Sequence, residues 1–136
     1  LEHLAALETI GDHFDFEACF RRLHQGYFGS LPRPLFRWGR DPGQRALRSM
    51  RFGSYCRDPL PSIRLHPRLD QPWVARVFVE HVIHHELCHH AQASAPRPGE
   101  TPHSARFKAW ERGYPYLDLA LRWEAAYAAR LLAAPT

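Results

Sequence analysis

Cysteine is scarce and scattered. The chain has three, Cys19, Cys56 and Cys88, far apart and odd in number, and no two form a C-x-x-C pair. That argues against a disulfide framework and against a cysteine zinc ribbon. It predicts a reducing compartment, the cytoplasm. Long apolar runs are missing too: no stretch reaches the ~20 residues that cross a bilayer. No basic, apolar and small-residue pattern of a signal peptide opens the sequence, so no membrane partner is expected. Internal repeats and low-complexity tracts are absent, and lysine is nearly so.

What is present fits one globular domain. At 136 residues, 45% hydrophobic and 24% charged, the sequence suits a single unit spanning 1–136, with room for a real core and none for a second domain of ordinary size. A monomer is expected. The net charge of +4 is almost all arginine. Arg33, Arg37, Arg40, Arg45, Arg48, Arg51 and Arg57 fall in one region with few acids. A solvated basic face accounts for such a run; a surface for an acidic partner such as nucleic acid is the functional alternative.

Periodicity predicts an α+β fold. Residues 1–28 read as helical, with one apolar stripe at Leu4, Leu7 and Ile10 and another at Phe16, Cys19, Phe20 and Leu23. Gly11 and Asp12 separate them, and Asp15 is a candidate N-cap for the second. Residues 35–66 read as three short strands in an antiparallel meander: Leu35–Trp38, Arg48–Tyr55 and Ser62–His66. Gln71 to Ala93 reads as one long, central helix, apolar on most sides, with a single polar stripe of Arg76, Glu80 and His84. After a proline-rich loop, Thr101-Pro102 reads as an N-cap and first helical residue, opening a short helix to about Arg112. A last helix runs from about Leu117 to Leu132.

His85-Glu86-Leu87-Cys88-His89 lies inside the long helix. Residues four apart on a helix leave their side chains only ~40° apart, so both imidazoles can reach one metal ion. Glu86 stands about 100° round from His85, at the flank of the pair, placed to take a proton from a metal-bound water. A catalytic zinc site needs a third protein ligand. His103, just past the loop, is the first candidate, and Glu111 is the competitor. His81, one turn before His85, is a candidate for lining the cleft or packing in the core. His84 is expected to be exposed, Cys88 to be a small buried residue, and His66 to be a surface histidine. His90 is turned away from the ligand face.

Three blocks resemble the SprT-like metallopeptidase domain of the zincin clan. Leu23-His24-Gln25-Gly26-Tyr27-Phe28 with Leu31-Pro32 is similar to that family's early helix and its exit. Ile63 to Leu69 is similar to the strand and loop before its active-site helix. His84 to His90, followed by Pro102-His103-Ser104-Ala105-Arg106-Phe107-Lys108, is similar to its zinc signature and third-ligand segment. The likeness covers about residues 15–112. It implies a compact zincin-like domain in which His85, His89 and His103 bind Zn2+ and Glu86 is the general base. Ser104 stands where the family commonly has glycine, and no cysteine ribbon is present, so the crosslink repair of the best-known eukaryotic members is not carried over. In size the chain is also similar to minigluzincins, whose third ligand is a glutamate, which keeps Glu111 in view.

The expected activity is zinc-dependent endopeptidase hydrolysis of a polypeptide substrate. The substrate would lie along an exposed strand edge, with the Ile63–Leu65 strand the candidate. Tyr114 and Tyr116 are candidate transition-state stabilisers. The rival expectation is a non-enzymatic zincin scaffold, with residues 113–136 lying across the cleft.

Overall fold

The computed structural model describes residues 8–135. Leu4 and Leu7, from the first expected stripe, lie outside the described residues. The fold is α+β, with four helices and a three-stranded mixed sheet among the described residues. In chain order these are α1 (Phe16–Phe28), β1 (Leu35–Trp38), β2 (Gly53–Cys56), β3 (Ser62–Leu65), α2 (Arg76–Ser94), α3 (Ala105–Glu111) and α4 (Leu117–Leu132). No helix among the described residues is long and apolar enough to cross a membrane.

α1 begins where Asp15 accepts a hydrogen bond from the Ala18 backbone N–H at 2.9 Å, satisfying one of the orphan donors of the first turn. Residues 8–15, the described residues before it, are not helical. Ile10 donates to the Val74 carbonyl at 2.9 Å and Arg76 to the Glu8 carbonyl at 2.8 Å, forming an antiparallel bridge between Thr9 and Ala75. That bridge holds Ala75 extended and delays the start of α2 to Arg76. A proline at residue 72 suits a first helical turn, but the tertiary pairing overrides it.

The sheet order is β1-β3-β2. β3 is central, antiparallel to β2 and parallel to β1. The expected meander is therefore corrected: β1 skips its sequence neighbour and pairs with β3. β2 is also shorter than expected, because Arg48 to Phe52 stays outside the ladder. Ile63 and Leu65 are fully buried, whereas Arg64 between them is exposed. One face of the sheet thus packs inward, where Phe36 stacks on Phe20 at 4.8 Å.

α2 runs through the middle. Phe78, Val79, Ile83 and Leu87 are each 0% exposed. Glu80 and His84 of its expected polar stripe are buried as well, against α1, whereas Arg76 at its start is exposed. Glu80 receives Arg22 at 2.7 Å, Arg76 at 3.0 Å and the Tyr114 hydroxyl at 2.8 Å. Burial pushes its carboxyl up, and those three donors outweigh burial and leave it below the usual carboxylate range. His84, expected on the surface, is 0% exposed, enclosed by Tyr27, Phe28 and Tyr114. Cys88 is buried as expected. His66 is half-buried and structural: its Nδ1 accepts from the Arg68 backbone N–H at 3.1 Å and opens a short turn over Pro67–Leu69.

α4 is tied down by Arg68, which is 4% exposed. Its guanidinium donates to the carbonyls of Leu131, Leu132 and Ala133 at the end of α4, and to those of Gly43 and Arg45. A cation at a helix C-terminus also meets the negative end of the dipole. Arg68→Met should therefore lower stability by roughly 2–4 kcal/mol, since it strands several carbonyls. Urea unfolding checks this: the midpoint should fall with an unchanged m-value. A loss under about 1 kcal/mol would contradict the role.

Candidate metal centre

His85 and His89 stand on one face of α2, and a loop must bring the third group to them. Residues 95–104 do so. Gly99 supplies a positive φ of 73° for the turn. Gln92, on the last turns of α2, donates to the Thr101 carbonyl at 2.8 Å. Glu100 accepts from Ser104 at 2.8 Å and from Arg106 at 2.6 and 3.0 Å. Ser104, not Thr101, is the N-cap of α3: its hydroxyl accepts from the Phe107 N–H at 3.2 Å. His103 therefore lies in the turn ahead of α3 rather than on a helix. The residue at which the sequence departs from the SprT-like pattern is the one that caps this helix.

The result is a three-histidine cluster. One nitrogen from each of His85, His89 and His103 lies within 4.8 Å of the others, and this triad can hold a metal ion. Phe107, 1% exposed, packs beneath all three rings, with centroids 5.1 Å from His85, 4.5 Å from His89 and 4.9 Å from His103. The donor set suits a borderline cation that takes imidazole ligands.

Glu111 is not in that group. Its Oε2 lies 2.5 Å from Nδ1 of His85, so it fixes that ring from behind and leaves Nε2 to face the cluster. A carboxylate on the far nitrogen of a ligating histidine is the usual way to set its tautomer and orientation. Burial depresses the His85 pKa, and the Glu111 bond and charge overcome this and raise it. That bond in turn holds the Glu111 carboxyl below its ordinary value. His89 is pushed down to about 4 by burial and by the neighbouring His85 and His103, which keeps it neutral and able to ligate.

Glu86 is 5% exposed and has no hydrogen-bond partner among the described residues. Burial pushes its carboxyl up to about 7, against the smaller pull of His85 and Arg51. Its side chain runs against Gly53 of β2. A Cβ at residue 53 would lie 2.9 Å from a Val82 methyl and 3.0 Å from Cγ of Glu86. A lone glycine in a strand signals close backbone approach, so this residue was readable in the sequence and was missed. Both Glu86 and the triad line a cleft of about 420 Å³, walled also by Phe52, Tyr55, Phe78 and His81.

Other expected residues fall elsewhere. Tyr114 is 2% exposed and bonded to Glu80, so it does not reach the cleft. Tyr116 is half-buried and does not line the cleft. His90 is buried and structural: one ring nitrogen meets the Pro32 carbonyl at 2.7 Å and the other the Tyr55 hydroxyl at 2.9 Å. This chain clamps β2 to α2. α4 contributes one side chain to the cleft wall, Glu124.

No protein-family model matches the chain, and no curated protein matches it.

His103→Ala should abolish tight binding of a divalent cation, whereas Glu111→Gln should weaken it by about 10–100-fold. Competition against a chelating dye measures both. The same titration should weaken as pH falls. His85 gains its proton at a pH above its ordinary value near 6.5, and that proton competes with the metal. Glu111→Gln should move this pH dependence downward.

Proposed function

We propose that the protein is a zinc-dependent endopeptidase of the SprT-like kind, hydrolysing a polypeptide substrate. The observation that carries the reading is a buried, unpaired carboxylate, Glu86, beside three convergent imidazoles in one cleft. A structural metal site has no use for such a group; a hydrolytic one needs it as general base. A bound zinc ion would supply Lewis acidity towards the scissile carbonyl and a water of lowered pKa.

The chain's own residues do the rest. Glu86 takes the proton from the attacking water and later gives it to the leaving amine. The triad fixes the reaction centre, and Glu111 holds His85 in register with it. For the substrate, β2 is the candidate edge. β3 holds Ile63 and Leu65 and was the expected partner, but it is the central strand with both edges taken. β2 is an edge strand and contributes Gly53, Ser54 and Tyr55 to the cleft. An extended peptide adding to its free edge gains main-chain hydrogen bonds and passes over Glu86.

A contact with nucleic acid is a second reading. Arg37 and Arg64 are exposed register partners on neighbouring strands, away from the core, with no acidic partner among the described residues. Like charges placed opposite each other weaken a sheet, so an anionic ligand on this face would relieve them. Filter binding to a DNA oligonucleotide decides it. Affinity should fall steeply with salt and be lost in Arg37→Ser/Arg64→Ser; binding that ignores both rejects it.

For hydrolysis, Glu86→Gln should abolish cleavage of casein while retaining bound zinc. Chelation should do the same to wild type, and added zinc should restore it. If wild type stays inert with zinc bound, the enzyme reading fails. The acid limb of the pH–rate profile should lie at or below about 7, where burial, against the smaller pull of His85 and Arg51, puts Glu86, because a bound cation would lower a carboxyl pKa further. Gly53→Ala should cut activity at unchanged zinc content by displacing Glu86.

A further inference from the structure

Five carboxylates are buried or half-buried among the described residues: Glu80, Glu86, Glu100, Glu111 and Glu124. Three have donors. Glu80 is held by two arginines and a tyrosine, Glu100 by Arg106 and Ser104, and Glu111 by His85. Two have none among the described residues, Glu86 and Glu124, and both line the same cleft. Glu86 is accounted for by hydrolysis. Glu124 is not, and a half-buried carboxylate without a partner is costly.

Its surroundings describe what would complete it. Met50, Phe52, Phe78 and Val82 give the cleft apolar walls. Trp123, the neighbour of Glu124 on α4, stacks on Phe78 at 4.8 Å. His81 also lines the cleft at 7% exposure. Its ring has no hydrogen-bond partner among the described residues, and Nδ1 is sealed from solvent. Its other ring nitrogen is not sealed, and the residue lines the cleft. An apolar channel with a carboxylate and a neutral imidazole suits a side chain with a long aliphatic stem and a cationic head. Arg51, the cation that shares the cleft, is exposed, and its charge is felt by Glu86 and His89.

We infer that Glu124 and His81 form a side-chain subsite that selects substrates with lysine or arginine beside the scissile bond. This rests on the endopeptidase reading and adds the substrate class. Glu124 is a specificity-determining residue: its carboxylate pairs with the substrate cation, while His81 accepts from the same head group.

The test uses zinc-loaded, full-length protein and a peptide series that differs at one position, scanned across the scissile bond, as Arg, Lys, Leu or Glu. Wild type should prefer Arg or Lys over Leu by about ten-fold in kcat/KM at one position, mainly through KM. Glu124→Gln should erase that ratio, and Glu124→Lys should reverse it in favour of Glu. Asp118→Asn, an equal charge change on α4 outside the cleft, should keep it. Cleavage without a basic preference, or a preference that survives Glu124→Gln, overturns the subsite and leaves hydrolysis standing. If wild type cleaves nothing, the hydrolytic reading fails separately. Fluorescence anisotropy of the same peptides on wild type and Glu124→Gln then decides the subsite: tighter binding of the Arg and Lys peptides that the mutation removes supports it, and equal binding of all four overturns it.

Discussion

The seating of α3 on the last turns of α2 is the constraint on which the rest depends. α3 is only seven residues long, too short to be stable by itself. Phe107 holds it by burying its ring against the histidine pair of α2, and the Glu100–Arg106 pair ties down the loop before it. Once seated, α3 delivers one functional group at each end. His103 precedes its N-cap and joins the triad; Glu111 is its last residue and meets the back of His85. A single packing event thus places both one histidine of the triad and the carboxylate that orients another.

The fold sorts its buried carboxylates by role. Glu80 sits at the junction of α1, α2 and Tyr114, with three donors that hold it ionised. It is a tie between helices, and losing any donor would leave a charge uncompensated in the core. Glu86, six residues further along the same helix, is equally buried and has no such donors among the described residues. Two groups of one type, on one helix, are driven in opposite directions from the usual carboxylate range, Glu86 upward by burial and Glu80 downward by its three donors. Divergence of that sort is what acid–base chemistry requires.

Much of this was legible in the sequence because local rules governed it. The four-residue spacing of His85 and His89 needs only a helix to work, and α2 supplies it. The Asp15 cap and the β1 boundaries followed from side-chain and proline chemistry. What failed was long-range. The parallel pairing of β1 with β3 joins strands more than twenty residues apart, and nothing within residues 35–38 states it. His84 looked solvent-facing because its stripe is polar; α1 answers that stripe with Arg22 and aromatic rings. Glu111 was weighed as a ligand, whereas its position at the end of α3 makes it a hydrogen-bond partner of His85. Gly53 was passed over although a glycine inside a strand is itself a signal of close approach.

The central claim concerns which three groups meet the cation. Anomalous scattering at the zinc edge from crystals of the zinc-loaded protein tests it most directly. The account predicts one strong peak bonded to nitrogens of His85, His89 and His103, with Glu111 hydrogen-bonded to His85 and Glu86 free of the metal. A peak bonded to a Glu111 oxygen in place of His103, or no peak between these side chains, would contradict it.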